Sequence, residues 1–197
     1  MATDTLRLQG KRVDLLRMDE HHAWPLLEAA HGMADWSLYM KPLQTLDDVQ
    51  HFIDKAKQEE AAGTCIPYVI WDHTEQKIVG STRLFDLSAE HRGLEIGSTW
   101  LNPSVWRTRV NTECKYLLLR QAFEHLHMLR VQIKTDLRNL QSQAAIERLG
   151  AVKEGILRNH RILHDGYVRD TVMYSITDEE WPGVKARLEA MLAQYEQ

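Results

Sequence analysis

The most informative stretch of the sequence is Leu94–Lys115, which reads LEIGSTWLNPSVWRTRVNTECK. In it a strand pattern ends, a short loop follows and a helix begins. Asn102-Pro103 ends the strand, because the residue before a proline is pushed toward extended geometry. The first amides of a helix have no internal partner, and the helix dipole places its positive end at the same point. The stretch therefore predicts a phosphate site at the start of the helix.

The side chains around this helix start support the same prediction. The candidate phosphate-binding residues are Arg107, Thr108, Arg109, Val110, Asn111 and Thr112. Between Ser104 and Arg138 the chain has seven basic and three acidic residues, a local positive excess in a protein of net charge −4. Such a field suits a phosphorylated ligand. The alternative is that the arginines are solvated or pair with surface carboxylates.

On both sides of this stretch, the chain contains strand and helix patterns without an internal repeat or a linker. Apolar alternation and turn signals predict strands over 65–71, 78–85, 94–101 and 130–136, and a hairpin over 158–176 around Asp165-Gly166. Helices are predicted over 20–30, from Thr45 to Gly63, over 111–126, from Asn139 to Gly150, and from Thr177 onward. This order predicts a mixed α/β or α+β sheet with helices on its faces, in one domain over residues 1–197.

Composition excludes several classes of protein. The chain has 197 residues, 44% of them hydrophobic and 26% charged, which is typical of a globular domain. Proteins devoted to nucleic acid usually carry a basic excess, so we expect no nucleic-acid partner. Cys65 and Cys114 form no CxxC pair, which argues against a cysteine zinc site and favours a reducing compartment. The longest apolar stretch, 66–71, is too short to span a bilayer, so we expect a cytoplasmic protein without a membrane partner.

Several motifs in the second half of the chain occur together in one known family. They are Glu95-Ile96-Gly97, Trp100-Leu101-Asn102-Pro103, Trp106, Asn111-Thr112-Glu113, Arg138-Asn139, Ser142 and Ala145-Ile146-Glu147-Arg148-Leu149-Gly150. In order and spacing, this span resembles motifs A and B of the GNAT acetyltransferase superfamily, most closely its RimL-like branch. The resemblance implies one mixed, mostly antiparallel sheet, splayed in the middle, with helices on both faces.

The resemblance also implies an activity: acetyl transfer from acetyl-CoA to a primary amine, on a protein N-terminus or a small molecule. Acetyl-CoA would be a cosubstrate, with no metal and no covalent enzyme intermediate, and homodimers are common in this branch. A non-catalytic CoA-binding or regulatory module of the same fold is the runner-up. It is favoured by Ile146, which stands where the superfamily has a tyrosine acid.

Acetyl transfer requires a base, a polarised carbonyl and a proton for the leaving thiolate. Glu95 is the candidate base, with a structural salt-bridge partner as the alternative. Ser142 is the nearest hydroxyl for the thiolate, an amide of Leu101 or Asn102 would polarise the carbonyl, and Asn139 would hold pantetheine or act only as a helix cap. Strand alternation predicts that Glu95, Gly97, Thr99 and Leu101 share one face, and we expect the sheet to splay after Leu101.

The phosphate loop departs from the family pattern. Trp106, Arg109 and Asn111 stand where the superfamily has Gln or Arg, Gly, and Gly or Ala, and Arg107 replaces a glycine usual in the branch. Either the loop still presents its amides with the arginines turned outward, or the arginines bind phosphate themselves. The acceptor pocket is expected from 30–42 and 158–169, with Trp36 and Tyr39 as walls unless they belong to the core.

Overall fold

The computed structural model describes residues 7–33, 36, 38 and 41–196. Its strands are β1 (Arg7–Gln9), β2 (Val13–Arg17), β3 (Cys65–Asp72), β4 (Lys77–Ser88), β5 (Gly93–Leu101), β6 (Arg130–Asp136), β7 (Val152–Ile162) and β8 (Val168–Thr177). Its helices are α1 (Ala23–Ala30), α2 (Leu46–Ala61), α3 (Val110–Arg120), α4 (Leu140–Leu149) and α5 (Trp181–Ala193). A π-helical turn, Gln121–His125, extends α3.

These strands form one sheet in the order β1-β2-β3-β4-β5-β6-β8-β7. Every neighbouring pair is antiparallel except β5 and β6, which run parallel. The mixed, mostly antiparallel sheet predicted from the sequence is therefore confirmed. The parallel ladder joins only Gly93–Glu95 to Arg130–Gln132, so the sheet splays after Glu95 rather than after Leu101 as expected.

A bulge in β5 changes which side chains share a face. Arg83 of β4 pairs with Gly97 and Ser81 pairs with Trp100, so Thr82 alone lies opposite both Ser98 and Thr99. Ser98 has a φ of 47°, a left-handed conformation that accommodates the extra residue. The expectation that Glu95, Gly97, Thr99 and Leu101 share a face is wrong, because the bulge reverses the alternation after Gly97.

Helices cover the two faces unequally. On one face, α3 and α5 enclose a core that includes Leu84, Ile96, Leu101 and Ile133. On the other face, α1 and α2 enclose a second core around Trp100 and the buried side chains Val49, Ile53 and Ala56 of α2. On this face, α1 packs against β4 and α2 packs against β3. Within the described ranges, no helix is both long and apolar enough to cross a membrane.

The local signals predicted at Thr45 and Gly150 mark a helix start and a helix end, whereas the helix predicted from Thr177 onward begins at Trp181. The Thr45 hydroxyl accepts a hydrogen bond from the Asp48 amide at 3.1 Å, and the Asp48 carboxylate accepts one from the Thr45 amide at the same distance. This capping box satisfies amides that the helix leaves without partners. At the C-terminal end of α4, Gly150 has a φ of 105°, a conformation that favours glycine.

Glu113 fastens the N-terminal hairpin to the start of α3. Its buried carboxylate accepts hydrogen bonds from the amides of Lys11 (2.6 Å) and Arg12 (2.9 Å) and lies 3.5 Å from Arg109 Nε. The hairpin turn must come very close for this contact. A Cβ atom on Gly10 would lie 2.8 Å from Glu113 Oε1 and 2.5 Å from the Val13 carbonyl oxygen. Only glycine fits there.

Replacing Glu113 with alanine should lower the free energy of unfolding by about 3–5 kcal/mol, because it leaves a buried guanidinium and two amides without their acceptor. Urea denaturation monitored by tryptophan fluorescence measures this. Glu179→Ala, at an exposed position before α5, serves as the control and should change stability by less than about 0.5 kcal/mol. Equal stability of the two variants would contradict the anchoring role of Glu113.

Candidate active site

The gap between β5 and β6 is the candidate active site. It opens where the two parallel strands stop pairing after Glu95, and the start of α3 and the start of α4 follow the two strand ends. The bulge at Ser98 turns the end of β5 away from its earlier alignment. A gap between parallel strands leaves backbone groups of both strands without ladder partners, so it can accept an extended, peptide-like ligand.

Of the two amides predicted to polarise a carbonyl, the structure favours that of Leu101. The Asn102 amide donates to the Val79 carbonyl at 2.7 Å, so it is already used within the sheet. Successive amides of a strand point to opposite sides. The Leu101 amide therefore points away from β4 and toward the gap.

The Asn102 side chain caps the turn that follows β5. Its Oδ1 accepts from the Ser104 amide at 2.9 Å, and its Nδ2 donates to the Ala29 carbonyl at 2.7 Å. Together with the backbone bond to Val79, these contacts use both of its donor groups. Asn102 thus ties the loop after β5 to α1.

The loop from Asn102 to Arg109 is held mainly by its own polar groups. Trp106 Nε1 donates to the Leu101 carbonyl at 2.7 Å, although the Trp106 ring is 41% exposed. The Thr108 hydroxyl donates to the Val105 carbonyl at 2.7 Å and accepts from the Val110 amide at 3.3 Å. These bonds commit the Thr108 hydroxyl, so its predicted contact with phosphate is not available in this conformation.

The start of α3 offers backbone amides rather than side chains. Asn111 and Thr112 lie in the first turn, where amides have no intrahelical acceptor. The Thr112 hydroxyl is buried and has no hydrogen-bond partner among the described residues, and Val110 belongs to the core. We conclude that these positions can contribute N–H groups to an anion but not side chains, with half-buried Asn111 as the exception.

The two loop arginines take different places. Arg107 is exposed and has a φ of 59°, a left-handed conformation that favours glycine. The Arg109 side chain is only 12% exposed and pairs with Glu113. The contact of Arg109 with Glu113 is the pairing with a carboxylate that the sequence analysis gives as the alternative to phosphate binding.

Much of the local positive excess is neutralised in the same way. Arg130 pairs with Glu154, Lys134 with Glu95 and Arg138 with Asp136. Lys115 is buried on α3, where its Nζ donates to Thr99 Oγ1 at 2.7 Å. Of the basic residues between Ser104 and Arg138, Arg107 is exposed near the helix start and pairs with no carboxylate among the described residues.

Glu95 is buried at the point where the gap opens, with a relative exposure of 4%. Gln132 Nε2 donates to its carboxylate at 3.2 Å, and the Lys134 ammonium forms an ion pair with it. Burial raises the pKa of Glu95, while Lys134 acts in the opposite direction. These contacts agree with the alternative in which Glu95 is a structural salt-bridge partner. Its position at the gap and its raised pKa agree with the role of a catalytic base.

The start of α4 contains the second predicted group. Asn139 is buried and its Oδ1 accepts from the Ser142 amide at 2.9 Å, so it is a helix cap as the alternative proposed. The Ser142 side chain is half-buried. Ile146 is buried in the core, so the position where the superfamily has tyrosine carries no proton donor.

The predicted acceptor walls are only partly described. Trp36 is 7% exposed and its ring lies 5.4 Å from that of Trp100, in the core covered by α1 and α2. It is therefore a core residue, as the alternative proposed. Tyr39 lies outside the described residues. Among the described residues, no group of three or more His, Cys, Asp or Glu side chains is placed to hold a metal ion.

Comparison with known proteins identifies the family. The profile of the acetyltransferase (GNAT) domain matches residues 12–152, more than half of the chain. This protein belongs to the GNAT acetyltransferase family. The relatives agree with the RimL-like resemblance: YdaF of Bacillus subtilis (strain 168), named as a ribosomal N-acetyltransferase, is 32% identical over 108 residues, which are 55% of this chain and 58% of YdaF.

Two solved structures share the GNAT fold over nearly the whole chain. A protein from T. thermophilus, named as an acetyltransferase, is 38% identical with a TM-score of 0.85, over 98% of this chain and 100% of that one. A GCN5-related N-acetyltransferase from Brucella melitensis is 26% identical with a TM-score of 0.86, over 93% of this chain and 84% of that one. The fold is thus common to GNAT proteins of different sequence.

Two residues of this GNAT site escaped the sequence analysis. Lys134 pairs with Glu95, and Lys115 supports the bulge residue Thr99. Burial lowers the pKa of Lys115. The alternation of β6 places Lys134 and Gln132 on one face of that strand. The pairing of β6 with β5, which brings this face to Glu95, joins residues about 37 positions apart in the sequence. Single-strand patterns do not contain that register.

The two loop arginines should therefore respond differently to alanine substitution. Arg107→Ala should weaken CoA binding by about tenfold and flatten its salt dependence, because a charge-assisted hydrogen bond contributes about 1.5–3 kcal/mol. Arg109→Ala should instead lower the free energy of unfolding by leaving Glu113 buried without its cation. Calorimetric titration at two salt concentrations and urea denaturation measure these effects.

Arg148→Ala, at an exposed position on α4, is the control for loss of one positive charge and should leave CoA affinity unchanged. If Arg107→Ala binds CoA as the unmodified protein does at low salt, the backbone amides alone hold the phosphates.

Proposed function

We propose that this protein transfers an acetyl group from acetyl-CoA to a primary amine by direct attack in a ternary complex. One observation carries the proposal: a GNAT chain whose β5 and β6 separate after Glu95, with the amides of α3 at the end of the resulting gap. The gap brings a base, a backbone N–H and an anion-binding helix start to one place. That combination meets the needs of acyl transfer to an amine.

The residues present fit acetyl-CoA. The amides of Asn111 and Thr112 would hold its pyrophosphate, helped by the exposed charge of Arg107. The Leu101 amide, directed into the gap, would donate to the carbonyl oxygen that develops negative charge. When bound, acetyl-CoA supplies the thioester whose carbonyl carbon the amine attacks.

Glu95 and Ser142 would move the protons. The amine nitrogen forms a bond to the carbonyl carbon as the carbon–sulfur bond breaks, and the nitrogen loses a proton to the Glu95 carboxylate, directly or through one water. The departing sulfur takes a proton, for which Ser142 at the start of α4 is the candidate donor. The raised pKa of Glu95 makes it a stronger base than an exposed carboxylate.

A non-catalytic CoA-binding module is the runner-up, which the acetyltransferase relatives do not favour, although two observations are compatible with it. Lys134 already neutralises Glu95, and Ile146 stands in place of the superfamily's tyrosine. A thiol-release assay with pooled amines and N-terminal peptides separates the candidates. Turnover with any acceptor excludes the module, whereas tight CoA binding without turnover favours it.

The acceptor and the compartment are further parts of this proposal. YdaF is named for a ribosomal acceptor, which supports a protein N-terminus, and a small-molecule amine is the other class considered. The two cysteines support a reducing compartment such as the cytoplasm, because both Cys65 and Cys114 are free and buried. Burial raises the pKa of each thiol to about 11.

Glu95→Gln tests the base. The variant keeps the size of the side chain but cannot accept the proton, so kcat should fall by about 10²–10⁴-fold with little change in acetyl-CoA affinity. Ser142→Ala should have a smaller effect, because water can replace a hydroxyl donor. Steady-state thiol release measures both, and a Glu95→Gln rate within about threefold of the unmodified protein would assign Glu95 a structural role.

Lys134→Met tests whether Glu95 titrates during catalysis. Lys134 lowers the pKa of Glu95, so its removal should let that pKa rise. The carboxylate form then needs a higher pH, and the acidic limb of the kcat/KM profile should move to higher pH. Lys55→Met, at an exposed position of α2, is the matched control. An acidic limb that stays in place would show that it reports another group.

A further inference from the structure

Among the residues that the structure describes, the helices on the Glu95 face of the sheet pack against β3 and β4. The helices α1 and α2 reach β3 and β4 on this face, and α3 and α5 cover the opposite one. The alternation of β6 and β8 places Lys134, Asp136 and Arg169 on the Glu95 face, because Val131, Ile133 and Val172 belong to the opposite core. Arg161 of β7 is the register partner of Arg169. An approaching acceptor would meet these side chains beside the gap.

The two carboxylates that act electrostatically on Arg169, those of Glu95 and Asp136, each pair with another cation. Glu95 pairs with Lys134. The Asp136 carboxylate accepts hydrogen bonds from Arg138 Nε at 3.1 Å and Arg138 Nη2 at 2.8 Å. The Arg138 guanidinium lies 3.5 Å above the Tyr167 ring, which holds it in this position. Arg161 and Arg169 themselves form no ion pair with a carboxylate among residues 7–33, 36, 38 and 41–196.

Arg169 is half-buried without a hydrogen-bonding partner for its Nε atom among the described residues, and that atom is fully removed from solvent. The charges that act on it come from Asp136, Arg161, Glu95 and Arg138, two of each sign. Like charges directly opposite each other on neighbouring strands destabilise a sheet, as do buried polar groups without partners. An arrangement of this cost is typical of a site completed by a ligand.

We propose that Arg169, assisted by Arg161, binds an anionic group of the acceptor, so that the acceptor is a primary amine that also carries a carboxylate or phosphate. This inference rests on the proposed function and narrows its substrate class. Each arginine interacts electrostatically with Glu95, so an anion held between them would place the acceptor amine beside the candidate base. The planar guanidinium suits either anion, because both can accept two parallel hydrogen bonds.

Matched pairs of amines test the proposal. One pair, the C-terminally amidated peptides Ser-Asp-Ala-NH2 and Ser-Asn-Ala-NH2, compares a carboxylate with an amide, and neither peptide carries a C-terminal carboxylate. The other, O-phosphoethanolamine and ethanolamine, compares a phosphate with a hydroxyl. Calorimetric titration into the protein saturated with CoA measures binding without requiring turnover, and thiol release with acetyl-CoA measures kcat/KM. Together the pairs show which anion is preferred.

The anionic member of at least one pair should bind about ten- to a hundredfold more tightly than its neutral match. Arg169→Met should reduce this ratio to within about threefold of one, with the affinity for the neutral member and for CoA retained. Arg161→Met, at an exposed position, should reduce the ratio less and serves if Arg169→Met does not fold. Arg187→Met, on the exposed side of α5, is the control and should keep the full ratio.

Equal binding of both members of both pairs would overturn the inference. So would a loss of CoA affinity in Arg169→Met with the ratio unchanged, because the arginine would then serve the phosphates of CoA. Absence of thiol release with every amine would count against the proposed function alone, since the binding ratio still decides whether Arg169 recognises an anion.

Discussion

The extra residue in β5 is the constraint on which the rest of the site depends. With Ser98 out of register, Thr99 turns to the α3 face, where its hydroxyl lies 2.8 Å from that of Thr82 and accepts from the Lys115 ammonium. An ammonium buried beneath the sheet is costly unless its protons find acceptors. Here that cost favours a single conformation, because moving the bulge by one residue would remove the acceptor from Lys115. The strand end, the Leu101 amide and the following loop are fixed with it.

Features with local causes were predictable from the sequence. The N-cap at Thr45, the αL glycine at 150 and the hairpin around Asp165-Gly166 depend on neighbouring residues alone, and all three are present. Features that depend on distant partners were not. The bulge at Ser98 has no proline or glycine at its centre, so the strand pattern looked continuous and the later side chains were assigned to the wrong face.

The charged residues also include features that the sequence predicts and features that depend on distant partners. A local excess of basic residues was visible in the sequence, but whether a given arginine is available depends on which carboxylate folding brings to it. Glu113 lies four residues after Arg109, a spacing that could have suggested the pair. Glu95 and Lys134 gave no such signal. As a result, the sequence motifs indicate the region of the candidate site, whereas the contacts that hold its individual residues are seen only in the structure.

Both cysteine thiols are buried, so the rate at which each one reacts with an added reagent measures how often the structure around it opens. Cys65 is 3% exposed in β3, and Cys114 is fully buried in α3. The thiolate is the reactive form, so thiols with a pKa of about 11 beneath packed elements react slowly with a disulfide reagent. Native labelling then requires a local or global opening. Because one cysteine lies in the sheet and the other in the helix beside the candidate CoA site, the difference between their labelling rates would show which of the two elements opens first.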